Sequence, residues 1–486
     1  MIYPALEMYN QMSVQAPVVP VTCKLSADTY TPISLFQKFG CRPDSFLLES
    51  VLGGERWARY SIMGRDPIIT FECDRGNIVY KVKGEKIEQT GNPSESIKNI
   101  IENFSSERFS YVEPFYCGLL GYFGYDFIRY VEKIPDTNPD PVGMPDCRLM
   151  APGEVIVFDH LKNEIILIAN TFTKDGIGAY GQAVQKLGKM IEEITTGMPY
   201  KVEAHHRGKL NFISRTSKEE YCQAVDKAKA YIKDGDIFQV VLSQRFEAEY
   251  HGEVLPIYRA LRNVNPSPYL LYLQFADMSI VGSSPEMLVR VQGNKIETCP
   301  IAGTRKRGAT AEADSELEKE MLSDEKEVSE HYMLVDLARN DVGKVSEFGS
   351  VEVKNPAHVE MYSHVMHIVT NVEGKMKQGI STADVLTSLL PAGTLSGAPK
   401  VRAMEIIEEL EPLRRGVYGG AIGYLGFDGN MDTCIAIRTA VIKDQKIYIQ
   451  TGAGIVADSV PEKEFEETMN KAGALFTALD KAGGMI

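Results

Sequence analysis

Two pairs of glutamates pose the chemical question in this sequence. Glu464 and Glu467 lie three residues apart, shortly after Gly452-Ala453-Gly454, Ser459 and Pro461. Proline suits the first position of a helix, and residues three apart neighbour each other on a helical face. Glu327 and Glu330 repeat the step, on the side that carries Leu334, Leu337 and Ala338. Carboxylates on a face that turns apolar one turn later need a partner, or their pKa values rise. Two helices that each offer such a step could hold one hard cation through a few oxygens and water, as Mg²⁺ prefers. The competing reading is a solvated acidic helix, favoured at 464–467 by the helix dipole.

Other residues suit anions. The small-residue loop 391–400 (PAGTLSGAPK) opens a helix expected at 401–410, and helix starts offer free N–H groups. A strand expected at 446–451 runs into a glycine turn at Gly452-Ala453-Gly454, a candidate backbone nest. Arg438, in a strand expected over 432–442, can grip a carboxylate with two hydrogen bonds. Tight turns and a structural ion pair are the competing readings. His364 and His367 are packed side chains or, beside the carboxylates, a proton carrier.

The elements that must position these groups come in blocks. Short strand-like runs occupy 46–52, 68–73, 77–82, 154–159 and 164–169. An aromatic and glycine run, 115–130, reads as strand, turn and helix, and the proline-rich loop 135–145 follows it. Helical periodicity covers 176–195, 217–234, mainly 315–345, 383–390 and 461–481. The last helix carries a stripe of Phe465, Met469, Ala472, Phe476 and Leu479. Further strands are expected at 238–245, 269–275, 279–281, 287–291 and 419–427. Grouped strands and helices without strict alternation favour an α+β fold with large, mainly antiparallel sheets packed with helices. We divide the chain into an N-terminal arm (1–20), an N-terminal region (21–195), a linker (196–212) and a catalytic region (213–486). His205-His206 in the linker reads as part of a solvated loop.

The chain has 486 residues, 44% hydrophobic and 24% charged, with a formal charge of −14. Such a balance fits a globular protein and disfavours nucleic-acid binding, which calls for a basic patch. No apolar run reaches membrane-span length, and the first 16 residues lack a signal-peptide pattern. Eight scattered cysteines without C-x-x-C pairs read as reduced thiols in a cytoplasmic protein. No phosphate-binding glycine loop of a nucleotide site is present.

Taken together, these motifs resemble the chorismate-utilising enzyme family, in its anthranilate-forming branch. The resemblance covers nearly the whole chain and is densest over 217–480. Its landmarks are Gly282-Ser283-Ser284-Pro285-Glu286, the segment 300–308 (PIAGTRKRG), the helix 327–341, the loop 391–400 and the stretch 452–471. It implies that Glu330 and Glu467 bind Mg²⁺, supported by Glu327 and Glu464. Ala302, Gly303, Thr304, Thr394, Tyr418, Arg438, Gly452, Ala453 and Gly454 would then surround chorismate, with Tyr418, Arg438 and the 452–454 amides at its enolpyruvyl carboxylate. Glu286 matches the acid that helps the ring hydroxyl leave, and His367 the histidine of the later pyruvate elimination. Thr394 would act beside them.

The implied reaction adds ammonia at ring C2 as the C4 hydroxyl departs. Loss of a ring proton and of the enolpyruvyl group then gives anthranilate and pyruvate, the first committed step of tryptophan biosynthesis. Relatives that make aminodeoxychorismate often carry a nucleophilic Lys where this chain has Ala302. Those that make isochorismate or salicylate carry a Lys near Gln239 to activate water. Neither Ala302 nor Gln239 can do that chemistry, so an amine nucleophile is implied. Aminodeoxychorismate formation and a non-catalytic tryptophan sensor are the alternatives. No cysteine has a G-x-C-x-G setting, so the ammonia would come from a separate glutamine amidotransferase subunit, in a heterotetramer. Leu47-Leu48-Glu49-Ser50 resembles the family's tryptophan-binding motif, with Pro266, Pro268, Tyr269 and Leu270 as its partner across the domain boundary. L-tryptophan is therefore the expected feedback inhibitor.

Overall fold

The computed structural model describes residues 2–50, 59–176, 178–200, 210–361 and 365–482. His364, the His205-His206 pair and most of the 196–212 linker lie outside the described residues.

Two large sheets share a pair of long bent strands, Tyr60–Asp74 and Cys147–Asp159. These two pair antiparallel along most of their length, with a register shift between Pro67 and Ile69. Asp66, beside the shift, has a left-handed φ of 50°. A bulge of this kind bends a strand and raises its twist, which lets one strand serve two sheets.

In the first sheet, Tyr60–Asp74 pairs with Ser45–Glu49, which pairs with Tyr269–Gln274. The order continues through Met278–Ser284, Thr439–Lys443 and Lys446–Ile455 to Gln239–Glu249. In the second sheet, Cys147–Asp159 pairs with Gly118–Phe123, then Ala421–Gly426, Met431–Ile435 and Met287–Gln292. It continues through Lys295–Thr298 to the strand Val365–Lys375, which pairs in turn with Glu352–Met361. Both sheets therefore run from the N-terminal half into the C-terminal half. Residues 2–20 fold onto the same core: Ile2–Tyr3 pairs with the strand Val18–Ser26, and Tyr9 is buried.

Every described strand pairing is antiparallel, and helices cover the sheets, so the α+β architecture expected from grouped elements is the one observed. The helix Lys218–Lys233 opens on a reciprocal cap between Ser217 and Glu220, the spacing that marks its start in the sequence. The expected helical stretch 315–345 is two helices, Ala311–Ser323 and Glu325–Val345. They divide at Asp324, whose carboxylate accepts the N–H groups of Lys326 and Glu327 and so starts a new helix. In Pro461–Ala482 the stripe is only partly buried: Ala472 and Leu479 are in the core, while Met469 is exposed. Among the described residues no helix is long and apolar enough to cross a membrane. All eight cysteines are free.

Candidate active site

Arg438 marks the place where the two sheets exchange a strand. The expected strand 432–442 is interrupted: Met431–Ile435 belongs to the second sheet and Thr439–Lys443 to the first. Arg438 sits at the break with a left-handed φ of 51°, and its carbonyl accepts the Ser283 N–H. A non-glycine residue held there stores backbone strain. The break turns the guanidinium into a cavity of about 760 Å³ between the sheets and two helices. Burial lowers its pKa, and among the described residues no carboxylate is in ion-pair distance. A largely desolvated arginine that faces a cavity with no carboxylate in ion-pair range of it suits an anionic ligand.

Opposite lies Glu286, in the turn between Met278–Ser284 and Met287–Gln292. Its carbonyl accepts the Ile435 N–H at 3.0 Å, and Ser284 donates to the Ile435 carbonyl at 2.7 Å. Those contacts fix the backbone and leave the carboxyl to the cavity. Burial raises its pKa to about 7, against the opposing effects of the Thr394 hydroxyl and Lys471. Thr394 donates to Glu286 Oε1 at 3.0 Å. Its turn, Gly393–Leu395, is held by Arg415, which donates to the Leu395 carbonyl at 2.6 Å. A carboxyl that titrates near 7 is matched to acid–base work at neutral pH.

The two glutamate pairs meet on one wall. Glu327, Glu330, Glu464 and Glu467 all line the cavity, one pair from the start of Glu325–Val345 and the other from the start of Pro461–Ala482. Burial raises the Glu330 pKa, with Glu327 and Glu467 adding to the rise. The Glu464 pKa is raised by burial and by Glu467. Gln239 Nε2 donates to Glu330 Oε1 at 3.2 Å, and Arg305 pairs with Glu327 at 2.8 Å. Lys471 pairs with Glu467 at 2.7 Å and donates to the Gly452 carbonyl at 2.9 Å. Mutually repelling, half-buried carboxylates have the donor chemistry of a hard-cation site. Among the described residues no three such groups converge on one point.

Ala302, Gly303, Thr304 and His367 form a third side. His367 Nδ1 donates to the Gly303 carbonyl at 2.8 Å, so a neutral ring carries its lone pair on Nε2, as a proton acceptor requires. Burial lowers its pKa, opposed by the Gly303 contact.

The glycine turn expected at 452–454 is not there. Gly452, Ala453 and Gly454 continue the strand Lys446–Ile455 and pair with Ser243, Leu242 and Val241. The glycines serve close approach instead: an added Cβ would lie 2.8 Å from the Tyr418 hydroxyl at Gly452 and 2.6 Å from the Gln239 amide at Gly454. Alternation sends Ala453 into the core, away from the cavity. The 391–400 loop contributes Thr394, while Lys400 at the helix start is largely covered and pairs with Asp341.

A second cavity, of about 260 Å³, lies where Ser45–Glu49 meets Tyr269–Gln274. Leu48, Glu49, Ser50, Pro268, Tyr269 and Leu270 line it; Pro266 does not. The Glu49 carboxylate is held by Tyr258 at 2.5 Å, Ser61 at 3.1 Å and Arg262 at 3.3 Å. Sequence reasoning missed Lys471, Arg305 and the Gln239–Glu330 contact. The i,i+4 spacing of Glu467 and Lys471 was a readable signal; the other two depend on long-range packing.

The family model of chorismate binding enzymes matches residues 54–477. Anthranilate synthase component 1 of Acetivibrio thermocellus is 52% identical over 99% of both chains, and that of Aquifex aeolicus 47% identical over 98% of both. The crystal structure of anthranilate synthase component I from Streptococcus pneumoniae superposes with a TM-score of 0.78 at 36% identity, covering 93% of this chain and 99% of that one. The menaquinone-specific isochorismate synthase of Escherichia coli shares the fold, with a TM-score of 0.73 at 19% identity over 98% of this chain and 99% of that one. The chain belongs to the chorismate-binding enzyme family, in the anthranilate synthase component I group.

Proposed function

We propose that this chain converts chorismate and ammonia to anthranilate and pyruvate, with ammonia released from glutamine by a separate amidotransferase subunit. The carrying observation is the polarity of one cavity: an acid tuned near neutrality, a desolvated arginine with no carboxylate in ion-pair range, and the two glutamate pairs around the same space. Chorismate has two carboxylates and a ring hydroxyl that must leave. Arg438, with the Tyr418 hydroxyl beside it, suits the enolpyruvyl carboxylate. Glu286 suits protonation of the departing C4 hydroxyl, because hydroxide is a poor leaving group. His367 suits the later removal of a proton as pyruvate departs. Glu330 and Glu467, with Glu327 and Glu464 beside them, would hold Mg²⁺, which when bound neutralises and polarises the ring carboxylate. Ala302 offers no nucleophile and Gln239 no base, which favours direct attack by the amine.

The test is incubation with chorismate, ammonium and Mg²⁺, following anthranilate fluorescence and pyruvate. Both products are expected in equal amounts. An aminated product without pyruvate would assign aminodeoxychorismate formation, and no product would sink the enzyme reading.

For the metal wall, Glu467→Gln should weaken Mg²⁺ activation and turnover together by about tenfold or more, the scale of losses at metal-site residues. Unchanged Mg²⁺ dependence would remove Glu467 from the metal shell.

We also propose that L-tryptophan inhibits from the second cavity. Its α-ammonium suits Glu49, in place of the Arg262 guanidinium now beside it. Saturating tryptophan should slow the reaction with chorismate near half-saturation; an unaltered rate would end this reading.

A further inference from the structure

Glu286 faces two spaces. Besides the substrate cavity, it lines a small chamber of about 40 Å³. Glu286, Thr394 and Leu334 belong to the walls of both. The chamber lies against the middle of the helix Glu325–Val345, where Leu334, Leu337, Ala338 and Asp341 recur at helical spacing. One helical face therefore starts with the Glu327–Glu330 pair, turns apolar, and ends in a buried aspartate in the wall of the chamber.

Asp341 is 4% exposed and binds two ammonium groups. Lys400 Nζ lies 2.5 Å from its Oδ2, and Lys344 Nζ 3.3 Å from its Oδ1. The Lys400 side chain is largely covered, whereas the Lys344 side chain is half exposed. Half-exposed Lys344 thus contacts Asp341, and Asp341 shares the chamber wall with Glu286. A water needs roughly 10–15 Å³ of such space and two to four polar partners. The chamber meets the first need, and Asp341, Glu286 and Thr394, with Thr298, are the residues with polar side chains in its wall that bear on the second.

We propose that Asp341 and Lys344 form a proton-return path that recharges Glu286 through one water in this chamber. The proposal rests on Glu286 as the acid of the reaction above. In each turnover the Glu286 O–H bond breaks as an O–H bond forms on the departing C4 oxygen, which leaves as water. Glu286 is then a carboxylate, shut off on the substrate side by the bound ring. A proton moves from the Lys344 ammonium to Asp341. The Asp341 carboxyl protonates the chamber water as that water protonates Glu286, and Lys344 regains its proton from bulk water. Each transfer breaks one N–H or O–H bond and forms another, and no further reactant is consumed. Lys400 holds Asp341 in place throughout. Asp341 and Lys344 touch no substrate atom; their role is to supply Glu286.

The test uses the full chain with chorismate, ammonium and Mg²⁺, and two variants. Asp341→Asn removes the relay carboxyl, and Ala338→Val fills the chamber without touching a charge. Each should lower kcat by about tenfold or more, leave KM for chorismate within about twofold, and raise the solvent deuterium isotope effect on kcat. In a Glu286→Gln background, Asp341→Asn should cost nothing further, because the group it serves is gone. The proposal is overturned if both variants keep wild-type kcat and isotope effect. It is also overturned if Asp341→Asn costs the same factor with and without Glu286, or if kcat falls with no change in isotope effect. Full activity in Glu286→Gln alone would instead overturn the acid assignment, so the two failures are distinguishable.

Discussion

Glu286→Gln is expected to cut anthranilate formation by about 10²- to 10⁴-fold, the usual contribution of a positioned general acid. The amide keeps the size and the Thr394 contact of the carboxyl but has no acidic proton to give. Chorismate binding should persist, because the groups suited to its carboxylates are elsewhere. The fall should therefore appear in kcat more than in KM. A stability signature accompanies it. Burial holds the folded-state pKa of Glu286 at about 7, above its ordinary value of 4.5. A raised pKa stabilises the fold fully below the unfolded value and loses that contribution as pH rises through the folded one. Wild-type stability should thus fall between pH of about 4.5 and about 7 from this group, while the amide of the variant does not titrate. Thermal melts of the two proteins across that range should diverge, with the Gln variant gaining at the higher pH. Parallel curves, or a variant with kcat near wild type, would remove Glu286 from the acid role.

Arg438→Met should lower kcat/KM for chorismate by about 30- to about 5,000-fold. The figure follows from about 2–5 kcal/mol for truncating one partner of a buried, hydrogen-bonded charge pair, at about 1.4 kcal/mol per factor of ten. The same variant should melt no lower than the wild type, and higher where methionine packs well. Without ligand, the guanidinium is desolvated and has no carboxylate partner among the described residues. Removing an uncompensated buried charge relieves the fold. Loss of activity with retained stability separates a ligand-binding arginine from a structural ion pair, which would lose both. A large fall in melting temperature would favour the ion pair.

These two residues show how the site is assembled. Glu286 stands out by its motif, and nothing local in Gly282-Ser283-Ser284-Pro285-Glu286 sets its acidity. The acidity comes from burial, and its partner Thr394 is 108 residues away in the chain. Arg438 stands out as a charge in a small, apolar run. Its reach into the cavity depends on the chain changing sheets at that residue, where one continuous strand was expected. At Gly452 and Gly454 the same local signal pointed the wrong way. Two glycines separated by alanine read as a turn, yet they lie in a strand where Tyr418 and Gln239 leave no room for a Cβ. Glycine reports missing space, and sequence does not say whether its own backbone or a distant side chain takes that space.

Sequence by itself determined that Glu327 with Glu330 and Glu464 with Glu467 lie on helices, because helical periodicity is local, while the break at Asp324 emerged only in the structure. It determined the α+β class, because the order of strands and helices is written along the chain. It also carried the family motifs and most cavity residues, since those are residue identities at fixed spacing. Only the tertiary structure decided that the two glutamate pairs share one wall, that Gln239, Arg305 and Lys471 reach them, and that Asp341 shares a chamber with Glu286. Those relations join segments far apart in sequence. They exist because two bent strands, Tyr60–Asp74 and Cys147–Asp159, bind both sheets around a common core.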